Sequence, residues 1–480
     1  MHQVILRLGA AVLLTAALSF APALACTSFM LETDQGLYYA HSLNQGSVPV
    51  VPGMVFINQR QVWKEGYSWA GLIDAHSESA PELVWKSRYG SVTFNLFGKN
   101  LPDGGVNEAG LFIWEMGFDT QYPDDPDNPT LFQTQWMQYV LDNFETVDEV
   151  IANAHRMNLD GWGWHYFVAD SSGGTAIIDF VDGHPIVHTG EAMPIPLCCN
   201  SFYPEAMNWL KQYQGFGGEL EIKKVHEEIP RFIYGAKLLK EYESADRDPV
   251  EYCFNTLDEM SPNVRWAVVY DLNKQTAYFK TNIDQSIRSF SVATGDFGSE
   301  FGTQVLDIDE PGPGDVKDRF APYSTELNAG AIHEVFGLLC DMAPFFRNML
   351  LDDQGITLER LVEVVNGRSN HTIVPARMRL EGRWPGMAIS SSEDDSTAHP
   401  ITLVFERDGV GLTGSIIKGD ASAATPMSNL TYQAGLISFV VEGNVEGNLR
   451  RYELHFNGDE IRGGTVTMDG NSESVRLRRP

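Results

Sequence analysis

Ala23-Leu24-Ala25-Cys26 constrains this chain more than any other stretch, because it decides where the folded protein begins. Residues 1–25 read as an export signal. Arg7 is the positive charge of a short n-region, Leu8 to Ala21 is small and apolar, and Ala23-Leu24-Ala25 has the small-x-small pattern at which such signals are cut. Cleavage after Ala25 makes Cys26 the first residue of the mature chain, with a thiol and a free α-amine on one residue. The apolar run is short for a bilayer span, and no later stretch is long and apolar enough. The mature chain is therefore expected in the periplasm or outside the cell. Lipoprotein signals also end before a cysteine, but they want Leu three residues earlier. Here that position is Ala23 and Leu24 falls one place late, which favours a free amine over a lipid cap.

At 480 residues the chain exceeds one ordinary domain. A formal charge of -30 leaves no basic stripe for phosphate, so nucleic acid is not an expected partner. No glycine-rich loop follows a strand, and the five cysteines lack zinc-type spacing, so neither a cofactor nor a metal is expected. Cys198, Cys199, Cys253 and Cys340 read as buried thiols, with pairing open to some of them in an oxidising compartment.

Periodicity divides the chain. Thr27–Glu32, Asp34-Gln35-Gly36 and Leu37–Leu43 form a hairpin that puts Cys26 at the exposed start of a strand. Strands are predicted at Met54–Arg60, Gly90–Leu96 and Leu111–Gly117, with Pro102-Asp103-Gly104-Gly105 as the turn feeding the last. Residues 131–145 read as a helix, and Thr146 to Glu149 as a capping box opening a second. A β-meander over 164–190, a helix from Arg231 to Tyr242 and a hairpin at Arg265–Lys280 follow. Helices laid on sheets in this order give an α+β layered domain rather than a doubly wound one. Glu310-Pro311-Gly312-Pro313-Gly314-Asp315 marks a boundary, residues 311–370 a helical linker region, and 371–480 a small antiparallel β sandwich or up-and-down barrel. That last domain reads as a structural, carbohydrate-binding or partner-binding appendage. His155, His165, His184 and His188 read as surface or strand-edge residues.

A terminal cysteine is a nucleophile that needs no histidine. Its α-amine has an ordinary pKa of ~7.7–8.0 and can take the thiol proton. Such a site still needs a group to hold the amine, donors for the oxyanion and a cation near the thiol. The motifs Cys26-Thr27, Trp85 to Val92, Pro102 to Leu111, Gln135 to Phe144, Cys199-Asn200-Ser201, Arg231-Phe232 and Trp266 to Asp271 occur in an order that resembles the linear amide C–N hydrolases. This is the choloylglycine hydrolase group of N-terminal nucleophile (Ntn) enzymes, which includes penicillin V acylases and bile-salt hydrolases. The resemblance implies an αββα sandwich over residues 26–310, a small-molecule N-acyl amide substrate and homo-oligomerisation. It implies Cys26 as nucleophile, Asn200 in the oxyanion hole and Arg231 beside the thiol.

The chain departs from the family where Gly-Arg-Asn-x-Asp is usual. His41 stands at the arginine and Asn44 at the amine-holding aspartate, while a further oxyanion asparagine aligns with Gly117. His41 and Asn44 are retained as site candidates. The departures also raise a second expectation, an Ntn fold that binds a ligand or partner without turnover.

Overall fold

A computed structural model describes residues 26–44, 50–76, 81–224, 228–242, 247–261 and 263–369. Beyond these it describes 382–392, 395–408, 411–419, 424–433, 436–442, 449–456, 460–467 and 472–478. The export signal at 1–25 lies outside the described residues. By contact density the chain divides into two units, Met1–Thr372 and Ile373–Pro480.

The N-terminal hairpin forms as its alternation requires. Thr27–Thr33 pairs along its length with Gly36–Asn44, with Thr27 opposite Ser42 and Thr33 opposite Gly36. It is not an exposed edge, however. Leu197–Cys198 pairs on its other side, and Val264–Asp271 pairs with Gly36–Asn44. The hairpin thus lies inside a seven-stranded sheet, and Cys26 is 1% exposed rather than standing at an open strand start.

A second, nine-stranded sheet runs from His184–Thr189 to Ala321–Pro322. Its strands Ser91–Asn95 and Phe112–Gly117 share one apolar core with the first sheet. Tyr39 and Phe112 have ring centroids 5.6 Å apart, as have Phe94 and Phe279. Helix Gln133–Asn143 covers the other side of the second sheet with Trp136, Met137, Val140 and Leu141, packed against Ile113, Tyr166 and Ile178. Helix Val147–Asn153 continues that layer behind the expected Thr146–Glu149 capping box. Glu228–Lys240 and Pro249–Met260 join the first sheet's core through Phe232, Ile233, Phe254 and Leu257. The short helix Trp69–Ile73 went unread in the sequence, as did Tyr203–Leu210 and Pro249–Met260, although the last two each have proline in the first turn and Pro249–Met260 has Asp248 as N-cap. In the region read as helical at 311–370, Thr325–Met342 and Leu358–Ser369 pack with Leu72, Phe97 and Phe132.

Two motifs become one feature here. The Asp142 carboxylate accepts from Lys64 Nζ (2.9 Å), Trp85 Nε1 (2.7 Å) and Gln138 Nε2 (2.9 Å), while its carbonyl accepts the N–H groups of Arg88 and Tyr89. The Lys64–Asp142 pair is fully buried, and its satisfied hydrogen bonds make that tolerable. These residues are scaffold that ties the helix to the loop ahead of Ser91–Asn95.

The predicted turn at Gly104-Gly105 is a correction. Gly104–Asn107 is a strand paired on both sides, and the turn lies beyond it, where the Asn107 N–H bonds the Leu111 carbonyl and Gly110 has φ +90. The glycines serve close approach. A Cβ on Gly105 would sit 2.3 Å from the Val92 carbonyl oxygen, and one on Gly104 2.2 Å from Trp114.

In the second unit, nine strands form one antiparallel sheet. Its last long strand, Ser472–Arg478, pairs with its first, Gly382–Ser392, from Gly386↔Leu477 to Ser391↔Ser472. Trp384, Leu403, Phe405, Tyr452 and Leu454 fill one core. The dipeptides Asp408-Gly409, Gly419-Asp420, Asn457-Gly458 and Asp469-Gly470, which by residue type read as the turns between these strands, fall wholly or partly outside the described residues.

Because Gly105 abuts backbone rather than a flexible side chain, Gly105→Ala is expected to lower stability by ~1–3 kcal/mol. The urea unfolding midpoint measures this. An unchanged midpoint would mean that the sheet yields without cost.

Candidate active site

The register of the first sheet assembles the site. Ser28 faces Cys198 and Phe29 faces Leu197 across an antiparallel ladder. Just beyond that ladder Thr27 Oγ1 and Cys199 Sγ are 3.9 Å apart, so Asn200 follows directly on the residue that meets Thr27. On the other side, Gly36–Asn44 ends at Asn44, whose backbone N–H bonds the Cys26 thiol. Asn44 thus bonds Cys26, Arg231 acts on the Cys26 thiol and donates to Asn200, and Asn44, Asn200 and Arg231 are 1%, 6% and 0% exposed.

Arg231 orients Asn200. Its Nη2 donates to Asn200 Oδ1 at 2.7 Å, and a guanidinium can only donate, so the amide oxygen must face it. Asn200 Nδ2 is thereby turned the other way, where it donates to the Gly117 carbonyl at 2.8 Å. Its second hydrogen remains for another acceptor. Arg231 Nε and Nη1 have no hydrogen-bond partner among the described residues, so a buried cation is held there with donors to spare. A Cβ on Gly117 would lie 3.4 Å from Asn200 Nδ2, so glycine leaves room beside that amide.

His41 stands apart. It is tied to Ser28, with Nδ1 2.8 Å from Ser28 Oγ, and it stacks on Trp114 at 4.1 Å. Burial holds its pKa well below the ordinary value, so it is neutral and brings no positive charge to the thiol.

The thiol itself is unfavourably placed for ionisation. Burial pushes the Cys26 pKa well up, and Glu115 and Asp103 push further, while the Asn44 N–H and Arg231 work in the opposite direction. A resting thiol of this kind needs a base before it can attack. The two carboxyls were not singled out as site residues in the sequence, because Glu115 lies in the otherwise apolar strand Phe112–Gly117 and Asp103 sits just ahead of the strand Gly104–Asn107 beside two glycines. They are neighbours, the Glu115 N–H reaching the Asp103 carbonyl at 3.4 Å. Burial raises Asp103 to about 8, against a backbone bond from Leu96 that lowers it. Burial, then Asp103, raises Glu115 well above the usual range. At about 8, Asp103 is largely protonated at neutral pH, and burial favours the protonated form of Glu115 as well.

The walls beside Asn200 are aromatic. Phe118 stacks on His165 at 4.8 Å and on Phe202 at 6.2 Å. His165 and His188 are buried, 0% and 7% exposed, which corrects their reading as surface residues, although His188 does lie on the edge strand His184–Thr189; His155 and His184 are exposed as expected. Strand alternation alone could not reveal that both faces of this sheet are covered. All five cysteines are free and buried. Among the described residues no group of three or more His, Cys, Asp or Glu side chains is placed to hold a metal ion, and no helix is long and apolar enough to cross a membrane.

Two outcomes follow from these contacts. Arg231→Leu is expected to slow iodoacetamide alkylation of Cys26 at pH 8 by about tenfold, the effect of one pKa unit. An unchanged rate would show that the guanidinium does not act on the thiol. For Asp103, a raised folded pKa means that its contribution to stability is fully present below its unfolded value near 3.8 and is lost as pH rises through about 8. Asp103→Asn should therefore flatten the fall in unfolding free energy between pH 5 and pH 9 by on the order of 1–3 kcal/mol. Urea titrations across that range measure it, and parallel curves for both proteins would contradict it.

No family model matches the chain. A penicillin V acylase from Pectobacterium atrosepticum is 27% identical over 179 residues, covering 33% of this chain and 47% of that protein. The chain thus spans about half the length of the curated relative it matches. Among solved structures, penicillin V acylase from Agrobacterium tumefaciens is similar with TM-score 0.53 and 21% identity, over 62% of this chain and 98% of that one. A variant of conjugated bile acid hydrolase from Clostridium perfringens aligns with TM-score 0.46 and 16% identity, over 59% and 97%. The sequence relative supports kinship with the choloylglycine hydrolase group of N-terminal nucleophile hydrolases, and the solved acylase shares the fold.

Proposed function

We propose that this chain is an exported amidohydrolase that cleaves linear, non-peptide C–N amide bonds through Cys26, on an αββα sandwich. The observation that carries the reading is the linked set Asn44–Cys26 and Arg231–Asn200–Gly117, brought together by one sheet register. Cleavage after Ala25 frees the amine of Cys26, whose neutral form takes the thiol proton. The thiolate attacks the acyl carbon, and Asn200 Nδ2 donates to the oxyanion. The C–N bond breaks as the ammonium returns its proton to the leaving nitrogen. Water, deprotonated by the amine, then attacks the thioester and releases the acid and the free thiol. Arg231 lowers the cost of the thiolate stage. In this reading the Asn44 side chain holds the amine without a charge, and neutral His41 supports the hairpin through Ser28 rather than acting as a cation. Half-buried Phe118 and Phe202 favour an apolar or aromatic acyl group, as in N-acyl amides, phenoxyacetyl penicillin or conjugated bile salts.

The second reading, a ligand-binding protein without turnover, is favoured by the raised thiol and the uncharged Asn44. One experiment separates them. Purified mature protein is sequenced from its N-terminus, exposed to a panel of those amides, quenched and mapped by mass spectrometry. The expected outcome is a chain starting at Cys26, an acyl mass on the Cys26 peptide, and turnover that falls by roughly 10³-fold or more in Cys26→Ser. A folded protein with free Cys26 and no adduct from any amide would favour binding. An acylated amine, or a start elsewhere, would end the mechanism.

A further inference from the structure

Behind Asn200 lies a buried chain of polar groups that the hydrolytic reading does not use. His165 Nε2 is 2.7 Å from the Cys199 carbonyl oxygen, and His165 Nδ1 is 2.7 Å from Asp179 Oδ1. The second carboxylate oxygen, Asp179 Oδ2, is 2.8 Å from His188 Nε2. His165 and Asp179 are both 0% exposed. They come from adjacent strands, Trp164–Ala169 and Thr175–Val181, and His188 from the next, His184–Thr189. The chain therefore runs from the edge of the second sheet to the segment that carries Asn200.

Donor and acceptor counting decides its charge. A carbonyl oxygen only accepts, and so does an ionised carboxylate. Burial works against a charge on Asp179, but the hydrogen bonds from His165 and His188 outweigh it and hold its carboxyl below the usual range. With acceptors at both ring nitrogens, His165 satisfies both contacts only when each nitrogen carries a hydrogen. The groups facing the ring are consistent with this. Phe118 stacks on its face, and the Cys198 thiol, 3.7 Å from Nε2, is kept neutral chiefly by burial. Arg231 is the other cation near Cys198, and it is spent on Asn200.

We infer that His165, held as an imidazolium by Asp179 and His188, is a positioning residue for the oxyanion donor. It grips the Cys199 carbonyl and fixes the backbone from which Asn200 and its Nδ2 donor project, and it polarises the Cys199–Asn200 peptide group, which the Asn200 N–H reports. A positive charge thereby lies behind the donors on the side where negative charge develops, while His41 contributes none. This assignment rests on Asn200 acting as an oxyanion donor in the proposed reaction.

The test combines readouts with and without turnover. In mature protein labelled with 15N-histidine, both His165 nitrogens should carry protons at pH 7.5. Asp179→Asn keeps the shape but removes the charge, so the ring should become neutral and the Asn200 backbone amide proton should shift upfield. With an amide that acylates Cys26, the same variant should lose about 10- to 100-fold in acylation rate with KM within about twofold. His165→Phe, which keeps the stack on Phe118 but has no donors, should lose at least as much. A neutral His165 tautomer in the wild type would overturn the assignment. So would an unmoved Asn200 amide, or a variant that loses melting temperature but not acylation rate. The NMR readouts need no substrate. An inactive wild type would count against the amidase reading, while the histidine chain would still be decided by them.

Discussion

Everything in the candidate site depends on one strand being held from both sides. Thr27–Thr33 receives Gly36–Asn44 along one edge and Leu197–Cys198 along the other, and the chain directions fix what meets Cys26. The hairpin brings the end of its second strand, Asn44, back to the cysteine. The long-range pairing brings Cys199, with Asn200 next to it in the chain, to Thr27 from 172 residues downstream. A slip of one residue in either ladder would send these side chains to the opposite face. The shared core between the sheets, anchored by Tyr39, Phe112 and Trp114, resists such a slip by the apolar area it would expose.

The second constraint is dryness. A thiol this deeply buried does not ionise by itself, and the surroundings both help and hinder it. Arg231 is the instructive member, because one guanidinium does two jobs. Its bond to Asn200 Oδ1 settles which way the amide points, and its charge lowers the cost of the thiolate. Asp103 and Glu115 would be an obstacle if charged, but burial shifts both toward the protonated form. The low dielectric that penalises the thiolate thus also quiets the carboxyls that would repel it.

Much of the architecture was legible because local rules carry it. Thr146 and Glu149 spell a capping box, and the helix ahead of them shows Trp136 and Val140 at helical spacing. Gly104-Gly105 misled because glycine pairs serve turns and close approaches equally well, and only Trp114 and the Val92 carbonyl reveal which. His165 and His188 misled for a similar reason. Their strands alternate like edge strands, and the layer that covers them comes from distant segments holding Phe118, Phe202 and Tyr203.

By itself the sequence determined the candidates Cys26, Asn200 and Arg231, the strand and helix periods, and the change of texture near residue 371. The periods and the change of texture are properties of short windows, in which spacing and residue type suffice, whereas Asn200 and Arg231 became candidates through the resemblance to a family. Tertiary structure alone decided that Cys26 is buried, that Arg231 orients Asn200, that His41 turns to Ser28 and Trp114, and that Asp103, Glu115 and the His165–Asp179–His188 chain surround the site. Charge and hydrogen bonding in a dry interior depend on which distant groups the ladders bring within a few ångströms, and no local pattern encodes that.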